Sequence, residues 1–511
     1  MRLPVIGLAA LALIFSPLAT PAYAHGFGDR YSLPVPLWLY LIGAGAAVAL
    51  SFAVVGFFVQ GGHAAAGYPR FNLLRLPPLR VLAHPIMLGS VKAFAVFLFL
   101  LVVVTGLVGD QSPVMNFAPT FVWIIWWVGL AFFCAFLGDL WVLVNPWTAL
   151  FSWAEALYAR LDPEGELSFG FQYPQWLEAW PAVNAFLVFA WLEVVFIGAA
   201  QPLVVAALAV CYWVYSFVGM LLFGKHVWLR NGEAFTLFFG NLARCAVTEV
   251  RVVDPAVCAR CSGECRFEAG DCINCHECME RARGDQREWN LRPLGAGLLT
   301  RTRVSTSQAA FVMLMLATVT FDGLSETPPW AAVSIPVMAV IKNVYVVGAM
   351  GLIGFPLLFA GVYLLFCKLI VAVSGRRRSV GDIARSFVYS LVPIAVAYHL
   401  AHYFTYILVQ GQFIIPLVSD PFGYGWDIFG TTDYLVNIAL ADARIAWFTA
   451  IFAIVGGHVL AVYIAHLLAL RVFPDHAAAL RSQYPMLLLM VGYTMLSLWI
   501  MAQPIIAAEA G

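Results

Sequence analysis

Apolar residues in this chain fall in long unbroken runs, not in strand-like alternation. A helix needs about 20 apolar residues to cross the hydrocarbon core of a bilayer. Runs of that order recur at 36–60, 86–108, 117–138, 181–200, 202–223, 305–321, 335–372, 384–410, 444–470 and 483–503. The pattern predicts an all-α membrane protein with about ten transmembrane helices. The seventh run is too long for one simple helix, and Lys342-Asn343 with Gly348, Gly351 and Gly354 are expected to break it. Residues 141–156, with Asn145-Pro146-Trp147, read as an interfacial or re-entrant piece.

Composition agrees with the pattern. Of 511 residues, 62% are hydrophobic and 11% charged, against about 25% charged in a soluble domain. The formal net charge is zero, so nothing in the balance points to a nucleic-acid partner. The position of each charge says more. The 61–85 loop carries Arg70, Arg75 and Arg80, the 225–304 stretch carries twelve Lys and Arg, and 373–385 carries Arg376, Arg377, Arg378 and Arg385. Arg471 and Arg481 mark the last such loop, whereas 110–117, 322–332 and 411–443 carry none. By the positive-inside rule this alternation fits ten spans with both ends outside.

Residues 1–24 read as a secretory signal: Arg2, an apolar stretch from Val5 to Phe15, and the small-x-small end Ala22-Tyr23-Ala24. Cleavage would place His25 at a periplasmic N-terminus, where its amine and ring nitrogen suit copper. The expected organisation is then a signal (1–24), five spans (25–249), a cytoplasmic six-cysteine insertion (250–304) and five more spans (305–511), in a bacterial inner membrane.

The insertion holds Cys258, Cys261, Cys265, Cys272, Cys275 and Cys278, with His276 among them. Cytoplasmic thiols stay reduced, so a metal is expected rather than disulfides. Cys-x2-Cys pairs let two thiolates converge on one ion. The run from Cys272 to Cys278 resembles the Cys-x2-Cys-x2-Cys of bacterial ferredoxins, without its fourth cysteine: Ala282 occupies that position. Zinc on Cys258, Cys261, Cys275 and Cys278 is the equal alternative to an iron–sulfur cluster. The remaining four cysteines, Cys134, Cys211, Cys245 and Cys367, stand singly and read as packing residues.

Ionisable groups inside spans are expensive and mark function. His399 and His402 share a face of the eighth span, and His458 and His466 lie in the ninth. His399 lies about 16 Å and His458 about 21 Å below the outer ends of their spans, from a rise of 1.5 Å per residue. That similar depth would let His399, His402 and His458 hold a divalent metal or clamp a haem. Interhelical hydrogen bonding and a proton relay are the other readings. Glu193, in mid-span, and Asp322, near a span end, are the candidate catalytic acids. No Gly-rich phosphate loop or G-x-S-x-G elbow is present.

Several stretches resemble a bacterial membrane family of fenitrothion hydrolases. They are His25-Gly26-Phe27-Gly28-Asp29-Arg30 with Leu33-Pro34-Val35-Pro36, Asn116-Phe117-Ala118-Pro119-Thr120, Gly138-Asp139, Asn145-Pro146-Trp147, Gly232-Glu233-Ala234-Phe235, Ser419-Asp420-Pro421-Phe422-Gly423, and Gly457-His458-Val459. They run from the mature N-terminus to the ninth span. The resemblance implies hydrolysis of an organophosphorus triester with release of a nitrophenol, and carries over no catalytic residues. A metal-assisted hydrolase of a lipophilic substrate is the first expectation. Its rivals are a redox or metal-handling subunit, with a membrane partner and His-ligated haem or copper, and a transporter.

Overall fold

The computed structural model describes residues 31–59, 67–261, 272–299, 304–375, 378–473 and 475–505. The signal segment, His25 and Cys265 lie outside the described residues. Ten helices are long and apolar enough to cross a membrane, so this is a multi-pass membrane protein whose surroundings are lipid. The first five spans are α1 (Leu37–Phe58), α2 (Pro85–Val108), α3 (Phe117–Phe136), α5 (Trp180–Val194) and α6 (Pro202–Phe223). Between α3 and α5 lies α4 (Pro146–Leu161), a helix that overlaps the 141–156 stretch read as interfacial or re-entrant. Its start is fixed by Asn145, whose side chain accepts from the Thr148 amide at 3.2 Å. Short helices α7 (Lys225–Asn231) and α8 (Ala234–Leu242) follow the fifth span.

Helix α9 (His276–Arg281) belongs to the cysteine insertion. The second set of spans is α10 (Thr306–Ser325), α12 (Val344–Val373), a composite eighth span centred on α13 (Val392–Val409), α14 (Ala443–Val472) and α15 (His476–Ile505). The long seventh run does break where expected. Helix α11 (Pro328–Ile341) ends at Lys342 in the left-handed region, φ 54°. Asn343 then caps α12 by accepting from the Tyr345 and Val346 amides. The three glycines do not break it: they lie inside the continuous α12. At Gly351 an added Cβ would stand 2.2 Å from Trp330 and 2.5 Å from Phe321, so this glycine permits close packing.

The span expected at 181–200 stops early. Helix α5 ends at Val194, because Gly198 and Pro202 turn the chain into α6. Glu193 is therefore at a helix end, not in mid-span.

A four-stranded antiparallel sheet, not expected from the sequence, supports the insertion. Its order is β1 (Phe71–Asn72), β4 (Arg287–Leu291), β2 (Thr248–Val252), β3 (Cys272–Ile273). It ties the loop after α1 to the insertion. Buried Glu249 accepts from Arg292 at 2.9 Å and from Arg70 at 2.5 Å, so three separate segments share one ion cluster. Removing one partner would strand a buried charge.

Candidate functional site

Helix α13 is buried along most of its length. Its polar side chains therefore face protein rather than lipid. His399 and Tyr403 are four residues apart and share a face, with His402 beside them. The structure brings Glu193 and Asp322 to this face from two other helices. Tyr403 Oη lies 2.8 Å from Glu193 Oε1 and 3.0 Å from Asp322 Oδ2. His402 Nε2 lies 2.8 Å from Asp322 Oδ2. Trp127 of α3 donates its indole N–H to Glu193 Oε1 at 2.5 Å. Trp127 sits in a π-helical stretch, Phe121–Gly129, a distortion that recurs at functional sites.

Proton counting constrains this network. A tyrosine hydroxyl has one hydrogen, and an ionised carboxylate only accepts. Tyr403 can donate to Glu193 or to Asp322, and the other carboxyl needs a proton of its own to complete the bridge. A proton so placed would be shared across the group. Beside it is a cavity of about 20 Å³ lined by Glu193, Asp322, His399, Tyr403, Trp127 and Phe238 among others. That is room for about one water.

The three histidines expected to bind one metal do not converge. Among the described residues, no set of three His, Cys, Asp or Glu ligand atoms within 4.8 Å of one another includes His399, His402 or His458. Depth alone does not fix direction around a helix axis. The His399 ring is enclosed by Trp127, Phe132, Phe238 and Tyr403. His458 is turned toward Tyr493 of α15, with ring centroids 5.8 Å apart, and its Nδ1 is 2.8 Å from the Ile454 carbonyl. His466 bridges Gln483 and the Val59 carbonyl.

A larger apolar chamber of about 1000 Å³ lies between α2, α3, α5 and α6. Trp123, Trp126, Phe189 and Leu192 line it. Leu192 faces the chamber while its neighbour Glu193 faces the small cavity. Trp127 and Phe189, ring centroids 4.6 Å apart, stand between the two spaces. Tyr403 and Trp127 were not singled out by the sequence. Tyr403 had a signal: it lies four residues from His399, on the same face.

At the other end of the bundle, five described cysteines gather. Cys258, Cys272 and Cys278 form one group of ligand atoms within 4.8 Å, and Cys261, Cys275 and Cys278 another. The Cys272–Cys278 and Cys261–Cys275 sulfur distances are 3.3 and 3.6 Å. A metal ion fits this donor set. Burial pushes the Cys258 thiol up to about 12, a direction that a bound cation reverses.

Helix α9, which carries Cys278, is anchored to α7 by charge. Glu277 pairs with Arg230 at 3.1 Å, and Glu280 with Lys225 at 2.7 Å and His226 at 3.3 Å. Burial acts to raise the Glu280 carboxyl, but His226 and Lys225 outweigh it and hold it down at about 2. Burial likewise lowers His276 to about 4, with His226 adding to the effect.

The acidic motif positions have local structural duties. Glu233 caps α8 through the Thr236 amide at 2.7 Å and accepts from Tyr212 at 2.6 Å. Asp420 accepts from the Tyr424 and Gly425 amides in its own loop.

No protein-family model, curated protein or solved structure matches this chain.

Proposed function

We propose that the chain is a membrane-embedded hydrolase of lipophilic esters, with organophosphorus triesters as the substrate class. The observation that carries this reading is the linked Glu193–Tyr403–Asp322–His402 group facing a water-sized cavity. Asp322, backed by His402, takes a proton from the attacking water. The water oxygen bonds to phosphorus as the bond from phosphorus to the aryl oxygen breaks. Glu193 and Tyr403 supply the shared proton to the departing oxygen. This is general acid–base catalysis by positioned groups. The aromatic-lined chamber suits the apolar body of such a substrate.

The alternation of arginine-rich and arginine-free loops supports a bacterial inner-membrane location with the mature N-terminus in the periplasm. The test of the activity is nitrophenolate release from a nitrophenyl phosphotriester by membranes carrying Asp322→Asn. A rate equal to the parent's would end the hydrolase reading.

The cysteine cluster favours a second, separate role, that of a metal knuckle. A tetrahedral zinc with bonds of about 2.3 Å sets its sulfurs about 3.8 Å apart. Two three-thiol groups that share Cys278, each with its sulfurs within 4.8 Å of one another, suit zinc held by thiolates, with an iron–sulfur cluster as the alternative. Visible absorbance of the purified protein decides between them: a broad iron–sulfur band would reverse this choice.

A further inference from the structure

The apolar chamber between α2, α3, α5 and α6 is open to the lipid around the bundle. Asn184 and Val188 of α5 and Cys211 of α6 line it, yet all three are exposed. Asn184 and Val188, four residues apart, share a face of α5, and Leu208, Cys211 and Tyr215 share a face of α6. From Val205 to Tyr215 the chamber follows α6 for about 15 Å, at a rise of about 1.5 Å per residue. That is half of a hydrocarbon core about 30 Å thick, the depth of one layer of acyl chains. The volume of about 1000 Å³ stands at the top of the range for ligand pockets, about 300–1000 Å³.

The wall constrains what such a molecule carries. Among its described residues none is charged, so an ionised headgroup moved in from water has nothing to pair with. Several polar groups of the wall are already spent. The Trp123 indole donates to the Ala199 carbonyl at 3.0 Å. The Tyr212 hydroxyl donates to Glu233 at 2.6 Å, and the Tyr215 hydroxyl to the Gly232 carbonyl at 2.9 Å. Asn184 differs. Its carboxamide has no hydrogen-bond partner among the described residues, although it faces an apolar space. An amide in hydrocarbon is costly unless it is hydrogen-bonded, and polar groups within spans mark function. Its NH2 group offers two donors, which suit the acceptor oxygen of an ester. Asn184 also shares α5 with Glu193, about 13 Å further along the axis.

We propose that the chamber is a binding site for an uncharged lipid ester, which enters from the bilayer along α5 and α6 and accepts a hydrogen bond from Asn184. Diacylglycerols and phosphotriesters share the required chemistry: an uncharged ester centre with an acceptor oxygen and apolar arms. For its use the site rests on the proposed function, since it names the kind of ester that the hydrolase admits; binding itself requires no hydrolysis. The apolar arms fill the aromatic-lined volume, and Asn184 selects a molecule that carries an acceptor without a charge.

The test reads binding alone. The full-length protein in phosphatidylcholine nanodiscs is illuminated with a diacylglycerol that carries a diazirine on one acyl chain, and labelled positions are read by peptide mass spectrometry. Labels should concentrate on the chamber faces of α5 and α6, and excess dioleoylglycerol should remove them. A phosphatidylcholine with the same diazirine chain should label these faces far less. Asn184→Leu is similar in size and makes insertion easier. It should raise the probe concentration for half-maximal labelling by about tenfold, about 1.4 kcal/mol. Should Asn184→Leu fail to fold, Cys211→Trp narrows the entrance at an exposed position and should slow labelling. Labelling of either folded variant like the parent, or equal labelling by the phosphatidylcholine probe, would overturn the site. Displacement of the probe by dioleoylglycerol but not by a nitrophenyl phosphotriester would keep the site and assign it to the glyceride. A parent that is labelled as expected, yet releases no nitrophenolate from that phosphotriester, would end the hydrolase reading alone.

Discussion

The carboxylate of Asp322 on α10 and the imidazole of His402 on α13 meet at 2.8 Å, with side chains 17% and 10% exposed. A pair this sheltered in an apolar bundle is costly to assemble and is kept for a use. Its surroundings indicate which use. Tyr403 links Asp322 to a second carboxyl, Glu193, and Trp127 fixes that carboxyl from the far side. Every member is held by a neighbour on another helix, the preorganisation that the proposed acid–base role would need.

Tyr403→Phe tests the bridge. Loss of the hydroxyl leaves Glu193 and Asp322 facing each other without a shared donor. Phosphotriester hydrolysis should fall by about 10²–10⁴-fold, the usual contribution of one acid–base group. Thermal stability in detergent should fall by only about 1–3 kcal/mol, the cost of buried groups left unsatisfied. Activity at the parent level, measured as nitrophenolate release, would remove Tyr403 from the mechanism.

Cys278 belongs to both groups of thiols, whereas Cys272 and Cys261 belong to one each. Cys278→Ser should therefore lose the most bound metal, and Cys261→Ser or Cys272→Ser less. Metal binding at such a site is coupled to local folding, so the yield of folded Cys278→Ser protein should drop as well. Elemental analysis of the detergent-purified proteins gives the ranking, and equal metal content in all three variants would contradict it.

The ten spans were legible in the sequence because hydrocarbon thickness fixes a length and a composition that any helix must meet. The break at Lys342-Asn343 was legible for a similar local reason: a polar pair interrupts an apolar run and supplies a cap. The short strands were not, since Phe71–Asn72 and Cys272–Ile273 are too brief to show alternation and exist only through pairing. Glu193 and Asp322 could be named separately as expensive acids, but that one tyrosine joins them could not be read. The histidine trio failed for a related reason. Residue spacing gives depth along an axis, whereas the direction in which His458 points is set by packing: an added Cβ on Gly457 would lie 2.4 Å from Ala397, which fixes how α14 lies on α13. The motifs that carry the family resemblance include several structural devices, among them the Asn145 and Glu233 caps and the Asp420 loop.

Lys225 anchors the knuckle to the bundle. It is 7% exposed and reaches both Glu280 and Glu155 at 2.7 Å. Lys225→Met should loosen α9 from α7, because it removes the cation between two carboxylates. Limited proteolysis of membranes opened on that side should then cut the 250–304 segment faster than in the parent. Glu155→Gln, whose side chain is 36% exposed, should have a much smaller effect, since exposed pairs contribute about 0–1 kcal/mol. Equal protection of Lys225→Met and parent would show that the sheet and the Arg230–Glu277 pair hold the insertion in place without Lys225.

Two glycines of α12 give opposite expectations for the same substitution. At Gly354 an added Cβ meets nothing within 4 Å, and alanine favours a helix over glycine by up to about 1 kcal/mol. Gly354→Ala should therefore leave stability unchanged or raise it slightly. At Gly351 the same methyl group would stand 2.2 Å from Trp330 and 2.5 Å from Phe321, so one of the two rings must move. Overpacking of this kind costs about 1–3 kcal/mol. Phe321 precedes Asp322 on α10, so a shift of its ring displaces the helix that carries the Asp322 carboxylate, the base of the proposed mechanism. Gly351→Ala should thus lower both the midpoint of thermal unfolding in detergent and the rate of hydrolysis. If the two alanine variants melt together, the packing of α11 and α10 against α12 is looser than the structure places it.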